Sequence, residues 1–252
     1  MMIRIIFLIF LIYMFYEVSV FKTNRLKIKS GKVRGTIRIV QISDFHNNVF
    51  VNLNRLRREI NIYNPDFIFL TGDIVSRGTS KYRRIDLFLS IFKDYKTYFV
   101  DGNHEIDNEN KKIYEILDRY GIVNLSGKCE TVNILDNDIA IYGNGFGVDN
   151  VINEKLNFNN YNILLSHSPE NFLNNQKLYD LVLSGHKHGG QIRLPFLGQI
   201  IDHGPKFFPK YSKGLYQIEN TNFYIDSGLG QSIYIRFFNR ISYSQIEIED
   251  NP

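Results

Sequence analysis

The first strong structural signal in the chain is the stretch TIRIVQISDFH, residues 36–46. Its first eight residues are rich in β-branched side chains and lie between Gly35 and Asp44, which is typical of a buried strand. The strand ends directly at the carboxylate of Asp44 and the imidazole of His46. Because ligand sites in α/β sheets lie at the carboxyl ends of strands, this stretch predicts both a fold class and the place of a site.

Strand-like and helix-like segments alternate after this stretch. Short apolar runs predict strands at residues 67–71 and 98–100, and helical spacing predicts helices at 53–63, 85–92 and 113–120. This order is the pattern of a parallel sheet with helices packed on it. The second half predicts seven further strands, at residues 131–135, 139–142, 161–166, 181–184, 214–219, 223–226 and 242–247. Two packed sheets covered by helices fit these elements.

Length and composition limit the class of protein. The chain has 252 residues, of which 44% are hydrophobic and 22% are charged, so a mainly disordered state is excluded. Cys129 is the single cysteine, which excludes an internal disulfide and a metal site made of several cysteines. Beyond residue 21 there is no linker, repeat or low-complexity stretch, so one folded domain is expected over residues 22–252.

The amino terminus is apolar enough to enter a membrane. Residues 5–16 contain no charge, glycine or proline, and a single acid, Glu17, separates them from the apolar residues 18–21. As a helix, this segment would be about 25 Å long, close to the ~30 Å of a bilayer core. No small-residue cleavage pattern follows, so residues 1–21 are expected to be a membrane anchor or an uncleaved signal. A buried core helix is the alternative.

Positive charge is concentrated directly after this apolar segment. Residues 22–38 contain seven basic side chains and no acid, and the remainder of the chain is slightly acidic. Such local basicity argues against a nucleic-acid partner. The positive-inside rule would keep the domain in the cytoplasm, but the same cations could belong to a strand or contact anionic headgroups. We therefore expect a protein anchored in the cell membrane and leave the membrane face and the oligomeric state open.

Polar side chains of a few types collect where the predicted strands end. Five of the six histidines lie in these segments, together with aspartate and asparagine. The segments are Asp44-Phe45-His46, Gly72-Asp73, Gly102-Asn103-His104-Glu105, His167 and Gly185-His186-Lys187-His188. Such mixed oxygen and nitrogen ligands suit Mn²⁺, Fe or Zn²⁺ better than Ca²⁺. Two cations about 3.5–4 Å apart can activate water and hold both oxygens of a displacement at phosphorus. The alternative is a set of hydrogen-bonded turn residues.

In order and in spacing, these segments resemble the calcineurin-like metallophosphoesterase superfamily. The stretch LVLSGHKHGGQIRLP, residues 181–195, resembles its bacterial YkuE/YaeI-like branch in particular. The resemblance implies an α/β fold, a four-layer α/β/β/α sandwich, here preceded by an N-terminal hydrophobic helix. It also implies two divalent metal ions per chain, with Mn²⁺ as the expected ion and Fe or Zn²⁺ as alternatives.

The resemblance also implies a role for each matching residue. His104 would face the scissile phosphate as the proton donor or as an electrostatic stabiliser. The first metal ligands would be Asp44, His46 and His188, the second set would be Asn103, His167 and His186, and Asp73 would bridge the two ions. Two positions depart from the pattern. Ser76 replaces an aspartate that orients the catalytic histidine in many relatives, and Asn48 replaces a glycine.

The function implied is hydrolysis of a phosphodiester or pyrophosphate bond by in-line attack of a metal-bridging hydroxide. A lipid-linked substrate is one hypothesis, because apolar clusters at residues 194–197 and 207–209 follow the last ligand pair. The alternatives are a nucleotide phosphodiesterase on the same scaffold and a non-catalytic metal-binding scaffold. Among neighbouring side chains, Arg77 could bind phosphate or form a surface salt bridge, Glu105 could support a ligand or be solvated, and Lys187 is expected to be solvated.

Overall fold

Helices alternate with strands in the first half of the chain and strands predominate in the second half of the computed structural model, which describes residues 1–148, 156–174, 178–190, 192–194, 196–200, 209–231 and 235–251. The helices are α1 Met2–Ser19, α2 Leu53–Tyr63, α3 Arg83–Leu89, α4 Asn103–Asp107, α5 Lys112–Arg119 and α6 Pro169–Asn174, with 3-10 turns at Ser90–Phe92 and His188–Gly190. The strands are β1 Lys22–Ser30, β2 Thr36–Ile42, β3 Phe67–Leu70, β4 Thr97–Phe99, β5 Val123–Asn124, β6 Cys129–Ile134, β7 Asn137–Asn144, β8 Tyr161–Ser166, β9 Leu181–Ser184, β10 Arg193–Leu194, β11 Gly198–Gln199, β12 Gly214–Ile218, β13 Thr221–Ile225 and β14 Ser242–Asp250.

Two six-stranded sheets form the middle layers of the fold. The first has the strand order β1-β14-β2-β3-β4-β5, and the second has the order β12-β13-β9-β8-β7-β6. Strands β2 to β5 run parallel to one another, as do β7, β8, β9 and β13. The carboxyl ends of these parallel strands therefore define one edge of each sheet, which is where the sequence predicts the site.

Apolar side chains hold the layers together. The core between the two sheets takes residues from both of them, including Ile39, Phe69, Ile141 and Leu165. A second core joins the first sheet to α2, α3 and α5, and a third joins the second sheet to α6. This is the four-layer α/β/β/α sandwich expected from the sequence, and the predicted fold class is confirmed.

Helix α2 shows how local sequence sets the boundaries of an element. It begins after Asn52, whose side-chain oxygen accepts the backbone N–H of Arg55 at 2.9 Å and caps the helix. It buries Leu56 and Ile60 against the sheet and ends at Asn64, a left-handed residue with φ 50°. Because asparagine tolerates this conformation and Pro65 follows, the helix stops where the sequence predicts.

Helix α1 is present as predicted, but its carboxyl end is part of the folded domain. Among the helices that the structure describes, it is the one long and apolar enough to cross a membrane. Most of its side chains are exposed, whereas its last turns bury Glu17 and Val18. The ring of Phe15 also contacts the ring of Phe50, which follows the His46 loop. The basic segment after the helix forms strand β1, which pairs with β14 at the edge of the first sheet.

The stack between Phe45 and Phe88 gives a test of how α3 supports the site loop. The two rings are parallel, with centroids 4.0 Å apart, and both are fully buried. We expect Phe88→Ala to lower the free energy of unfolding by about 3–5 kcal/mol, because it leaves a cavity under Phe45. Leu87→Ala, at a half-exposed position on the same helix, should change it by about 0.5 kcal/mol or less. Urea unfolding in detergent measures both, and equal losses would contradict the packing argument.

Candidate metal centre

The predicted ligands lie at the carboxyl ends of strands from both sheets. In the first sheet, Asp44 and His46 follow β2, and Asp73 follows β3. The short helix α4 after β4 begins at Asn103. In the second sheet, the loops after β8 and β9 carry the remaining three ligands, which are His167, His186 and His188. The topology brings all seven side chains to one place between the two sheet edges.

The ligand atoms form two adjoining groups. Those of Asp44, His46 and His188 lie within 4.8 Å of one another, and so do those of Asp73, His167 and His186. The Oδ2 atom of Asp73 is 3.6 Å from His46 Nε2 and 3.4 Å from His167 Nε2, so this carboxylate lies between the groups. The Oδ1 atom of Asn103 is 3.2 Å from His167 Nε2, which adds an amide oxygen to the second group.

Imidazole nitrogens face one another inside both groups. His46 Nε2 lies 3.3 Å from His188 Nε2, and His167 Nε2 lies 3.1 Å from His186 Nδ1. The other nitrogen of His167 is 2.8 Å from the carbonyl oxygen of Thr71, which accepts its N–H and leaves the Nε2 lone pair available for a cation. Converging nitrogen and carboxylate lone pairs in a buried place repel one another unless a cation or a proton lies between them. The donor set therefore fits divalent cations.

The charge state of the buried imidazoles follows from their surroundings. Burial lowers the pKa of His46 to about 3, which keeps this ring neutral, as a metal ligand must be. Burial alone would also lower the pKa of His167, but the charge of Asp73 and its hydrogen bond raise it to about 10. The same imidazoles lower the pKa of Asp73 although it is buried, so this carboxyl is ionised.

The turns that aim these side chains are strained. Non-glycine residues rarely adopt positive φ, and each such residue costs about 1–3 kcal/mol unless its surroundings enforce the conformation. Five of the predicted ligands adopt it: Asp44 at 51°, His46 at 48°, Asp73 at 55°, His186 at 69° and His188 at 49°. Backbone hydrogen bonds hold two of these turns together, from Asp44 N–H to Gly72 O and from His46 N–H to Asp73 O.

The side chain of Glu105 holds two of the site loops together. Its buried carboxylate accepts the backbone N–H groups of Asp73, Ile74 and Val75 after β3, and of Gly102 after β4, at 2.7–3.0 Å. Burial and the nearby Asp73 charge raise the pKa of Glu105 to about 8, while the N–H donors oppose that shift. Of the two alternatives for Glu105, the structure supports the one in which it holds the ligand loops.

His104 lies beside the two groups and is partly exposed. Its Nδ1 accepts the backbone N–H of Arg77 at 3.2 Å, so the ring proton is on Nε2, which lies 4.0 Å from Asp73 Oδ2. Burial lowers the pKa of His104. The hydroxyl of Ser76 lies 3.5 Å from His46 Nδ1, and the backbone N–H of Arg77 orients His104.

The carboxyl end of α1 contacts the same loops. The Glu17 carboxylate accepts the backbone N–H of Asn239, and the Asn239 side chain donates to the carbonyl oxygen of His188 at 2.6 Å. Asn48, two residues after His46, donates to the carbonyl oxygen of Val18 at 3.2 Å. Asn48 is not among the residues of that turn with positive φ, so its backbone does not need the freedom of a glycine. Sequence reasoning missed this contact because Glu17 only interrupts an apolar run.

The predictions for three features near the site have different outcomes. Arg77 pairs with Asp107 at 2.7 Å on the surface, which agrees with the salt-bridge alternative. Lys187 is buried and pairs with Glu170 in the first turn of α6, so the expectation of a solvated lysine is wrong. In the apolar clusters, Phe196 is fully exposed, whereas residues 195, 207 and 208 lie outside the described part of the chain.

Comparison with known proteins identifies the family. The model of the calcineurin-like phosphoesterase family matches residues 37–190, which include all the predicted site residues. The chain belongs to this family, and the predicted resemblance is confirmed. It is accordingly a metal-dependent phosphoric ester hydrolase of the metallophosphoesterase class.

Similar bacterial proteins carry related names. The chain is 28% identical to YkuE of Bacillus subtilis (strain 168), named an uncharacterized metallophosphoesterase, over 86% of this chain and 82% of that protein. It is 25% identical to the phosphodiesterase YaeI of Escherichia coli (strain K12), over 92% of this chain and 86% of that protein. It is 27% identical to LpxG of Chlamydia muridarum, named a UDP-2,3-diacylglucosamine pyrophosphatase, over 85% of this chain and 84% of that protein.

A solved structure agrees with the fold. The 5'-nucleotidase precursor of Thermus thermophilus superposes with a TM-score of 0.52 at 12% identity. The match covers 85% of this chain and 54% of that one, so the present chain spans about half the nucleotidase's length. At this identity the likeness supports the sandwich fold alone.

The hydrogen-bond chain from Glu17 to His188 predicts an effect of the helix on metal binding. Glu17→Leu leaves the Asn239 N–H without an acceptor, and we expect Mn²⁺ affinity to fall about 10–100-fold, as for other residues that orient a ligand. Glu17→Gln keeps an acceptor and should stay near wild type. Tyr16→Phe is the control, because it removes a helix contact to Arg240 instead. Titration calorimetry in detergent measures the affinities, and equal losses in the Leu and Phe variants would contradict the idea.

Metal binding should release protons at neutral pH. The raised pKa of His167 means that the metal-free centre holds a proton that a cation must displace, so affinity rises with pH and falls on acidification. We expect at least one proton to be released per chain at pH 7. Calorimetry in two buffers with different ionisation enthalpies counts the protons, and a count of zero would show that His167 is already neutral.

Proposed function

We propose that the protein hydrolyses a phosphodiester or pyrophosphate bond in a lipid-linked substrate, at two divalent cations. The observation that carries the lipid part of this proposal is the contact between α1 and the ligand loops, through Glu17, Asn239 and Asn48. A headgroup that leaves a bilayer beside this helix would meet the metal centre directly. The relative named as a pyrophosphatase of a diacylglucosamine nucleotide points in the same direction.

Seven side chains would hold the two cations. The first ion would be bound by Asp44, His46 and His188, the second by Asn103, His167 and His186, and Asp73 would be shared. Such cations neutralise phosphate charge and generate a nucleophile from water at neutral pH. The mixed oxygen and nitrogen ligands suit Mn²⁺, Fe and Zn²⁺ alike, and Mn²⁺ is the ion that the family resemblance implies.

His104 would act on the leaving group. Its backbone N–H is fixed by Asp73 Oδ1 at 2.8 Å, and its Nδ1 is occupied by the N–H of Arg77. The Nε2–H therefore points toward the centre, where it can donate a hydrogen bond or a proton to a phosphate ester oxygen. Because the side chain is partly exposed, it lies at the mouth of the centre, where a substrate enters.

An apolar rim around α1 supports membrane anchoring. We define this rim as Val49, Phe50, Phe237 and Phe238, which flank the middle of the helix. Three of the four are well exposed, although they are large and apolar. If residues 1–21 anchor the protein in the cell membrane, the rim of the domain 22–252 enters the interface with them.

Turnover of two substrates by one sample of the full chain in detergent tests the proposal. A lipid-linked pyrophosphate and the water-soluble p-nitrophenyl phosphodiester would be compared in the presence of Mn²⁺. We expect a kcat/KM for the lipid substrate at least about tenfold higher, which corresponds to ~1.4 kcal/mol. His104→Ala should lower kcat about 10²–10⁴-fold, and Asp73→Asn should abolish metal-dependent turnover.

Other outcomes would favour the alternatives. Faster turnover of a soluble nucleotide diester than of the lipid substrate would indicate a nucleotide phosphodiesterase. Two bound metal ions without turnover of any of the three substrates would indicate a non-catalytic scaffold. An unchanged rate in Asp73→Asn would show that the proposed centre is not the site of hydrolysis.

A further inference from the structure

A basic cleft opens beside the carboxyl end of α1, between the edge strand β1 and helix α2. Its volume is about 970 Å³, and none of the proposed metal ligands lines it. Six cationic side chains and two carboxylates do. The cations are Lys22, Arg25, Lys27, Arg38, Arg55 and Arg240, and the carboxylates are Glu59 and Glu247. The cleft therefore attracts anions, although the chain beyond its basic segment is slightly acidic.

Most of this positive charge is not neutralised within the cleft. The two carboxylates pair with Lys27 and Arg55. For Lys22, Arg25 and Arg38, the described residues provide no carboxylate within ion-pair distance. These unpaired cations give the cleft a net positive charge, which favours binding of an anion there.

Arg240 adds a buried donor that lacks an acceptor. Its Nε atom is shielded from solvent and has no hydrogen-bond partner among the described residues, although another nitrogen of the same group contacts the hydroxyl of Tyr16. A buried N–H without a partner carries a desolvation cost that a bound ligand would remove. The planar guanidinium can bind two oxygens of one phosphate at the same time.

The cleft begins where α1 would leave a membrane. Tyr16 contacts Arg240, and Phe21 lies under the guanidinium of Arg55, 4.1 Å from ring centroid to Cζ. The apolar rim contacts the helix at Tyr13 and Phe15, which precede Tyr16 by at most one turn, or about 5 Å along the axis. The headgroup layer of a bilayer is about 5–7 Å thick on each side. If the rim lies in the apolar interface, the mouth of the cleft lies among the headgroups.

We propose that this cleft binds the phosphate of an anionic phospholipid headgroup, at a site separate from the metal centre. The bound lipid would fix the domain against the bilayer at a second point beside α1, and so set the height of the metal centre above the membrane. Free phosphate has the same chemistry, but the continuity of the cleft with α1 and the rim favours a lipid as the source. This site would recognise a lipid that is not hydrolysed, so it does not depend on the proposed substrate.

Lipid retention by the full chain tests the site without any turnover. The protein in a neutral detergent would be mixed with phosphatidylglycerol or with phosphatidylcholine of the same acyl chains, and bound lipid counted by native mass spectrometry. We expect one phosphatidylglycerol per chain, held at least tenfold more tightly than phosphatidylcholine and weakened by salt. Arg25→Gln combined with Arg240→Gln should reduce this affinity at least tenfold.

The control variant carries Lys93→Gln and Lys96→Gln, which remove two exposed cations outside the cleft. It should retain the lipid as wild type does. The exposed single change Arg25→Gln, which leaves packing intact, should give a smaller loss in the same direction if the double variant does not fold. Equal retention of the two lipids, or equal loss in the control, would overturn the proposal. Binding of inorganic phosphate without retention of phosphatidylglycerol would also overturn it, and would assign the cleft to a soluble anion.

Discussion

The carboxylate of Asp73 sets the constraint on which the rest of the site depends. It is buried, yet its Oδ2 lies within 4.0 Å of the imidazoles of His46, His104 and His167. A charge in such a place is stable only if positive charge is shared with it and if its own loop cannot move away. Glu105 meets the second condition, because it holds the backbone on both sides of Asp73 and joins that loop to the next one. The first condition, shared positive charge, is met only if protons or bound cations lie beside the Asp73 carboxylate.

The parts of the fold that sequence predicts well are those with a strong local pattern. Strands β2, β3, β8 and β9 are short apolar runs that are bounded by glycine or polar residues. The predicted ligands follow shortly after each of these strands. The elements that the sequence leaves open or does not indicate lack such a pattern. Strand β1 is basic and takes its structure from pairing with β14, 220 positions away along the chain. Helix α4 is only five residues long and overlaps the motif itself.

The same distinction applies to the side chains around the centre. The metal-ligand candidates could be found because aspartate, asparagine and histidine are rare together and their order is characteristic. Glu17 and Asn239 could not, because their partners are distant in sequence and their types are common. The buried Arg236 donates hydrogen bonds to the carbonyl oxygens of Ser227 and Gly230. These bonds hold a loop beside His188. Arginine in an apolar context gives no sign of such a role until its acceptors are known.

Helix α1 contacts both the loops of the metal centre and the basic cleft. An acid near the end of a membrane helix is unfavourable in lipid, but Glu17 is turned into the domain, where it accepts an N–H of the loop that approaches His188. The helix therefore cannot tilt or slide independently of the ligand loops without breaking that bond. An ordinary tether would leave the distance between membrane and metal centre variable, whereas this contact would fix it if α1 anchors the protein as proposed. A fixed distance benefits an enzyme chiefly when its substrate is also held at a fixed depth, as a phosphate ester anchored in the bilayer is.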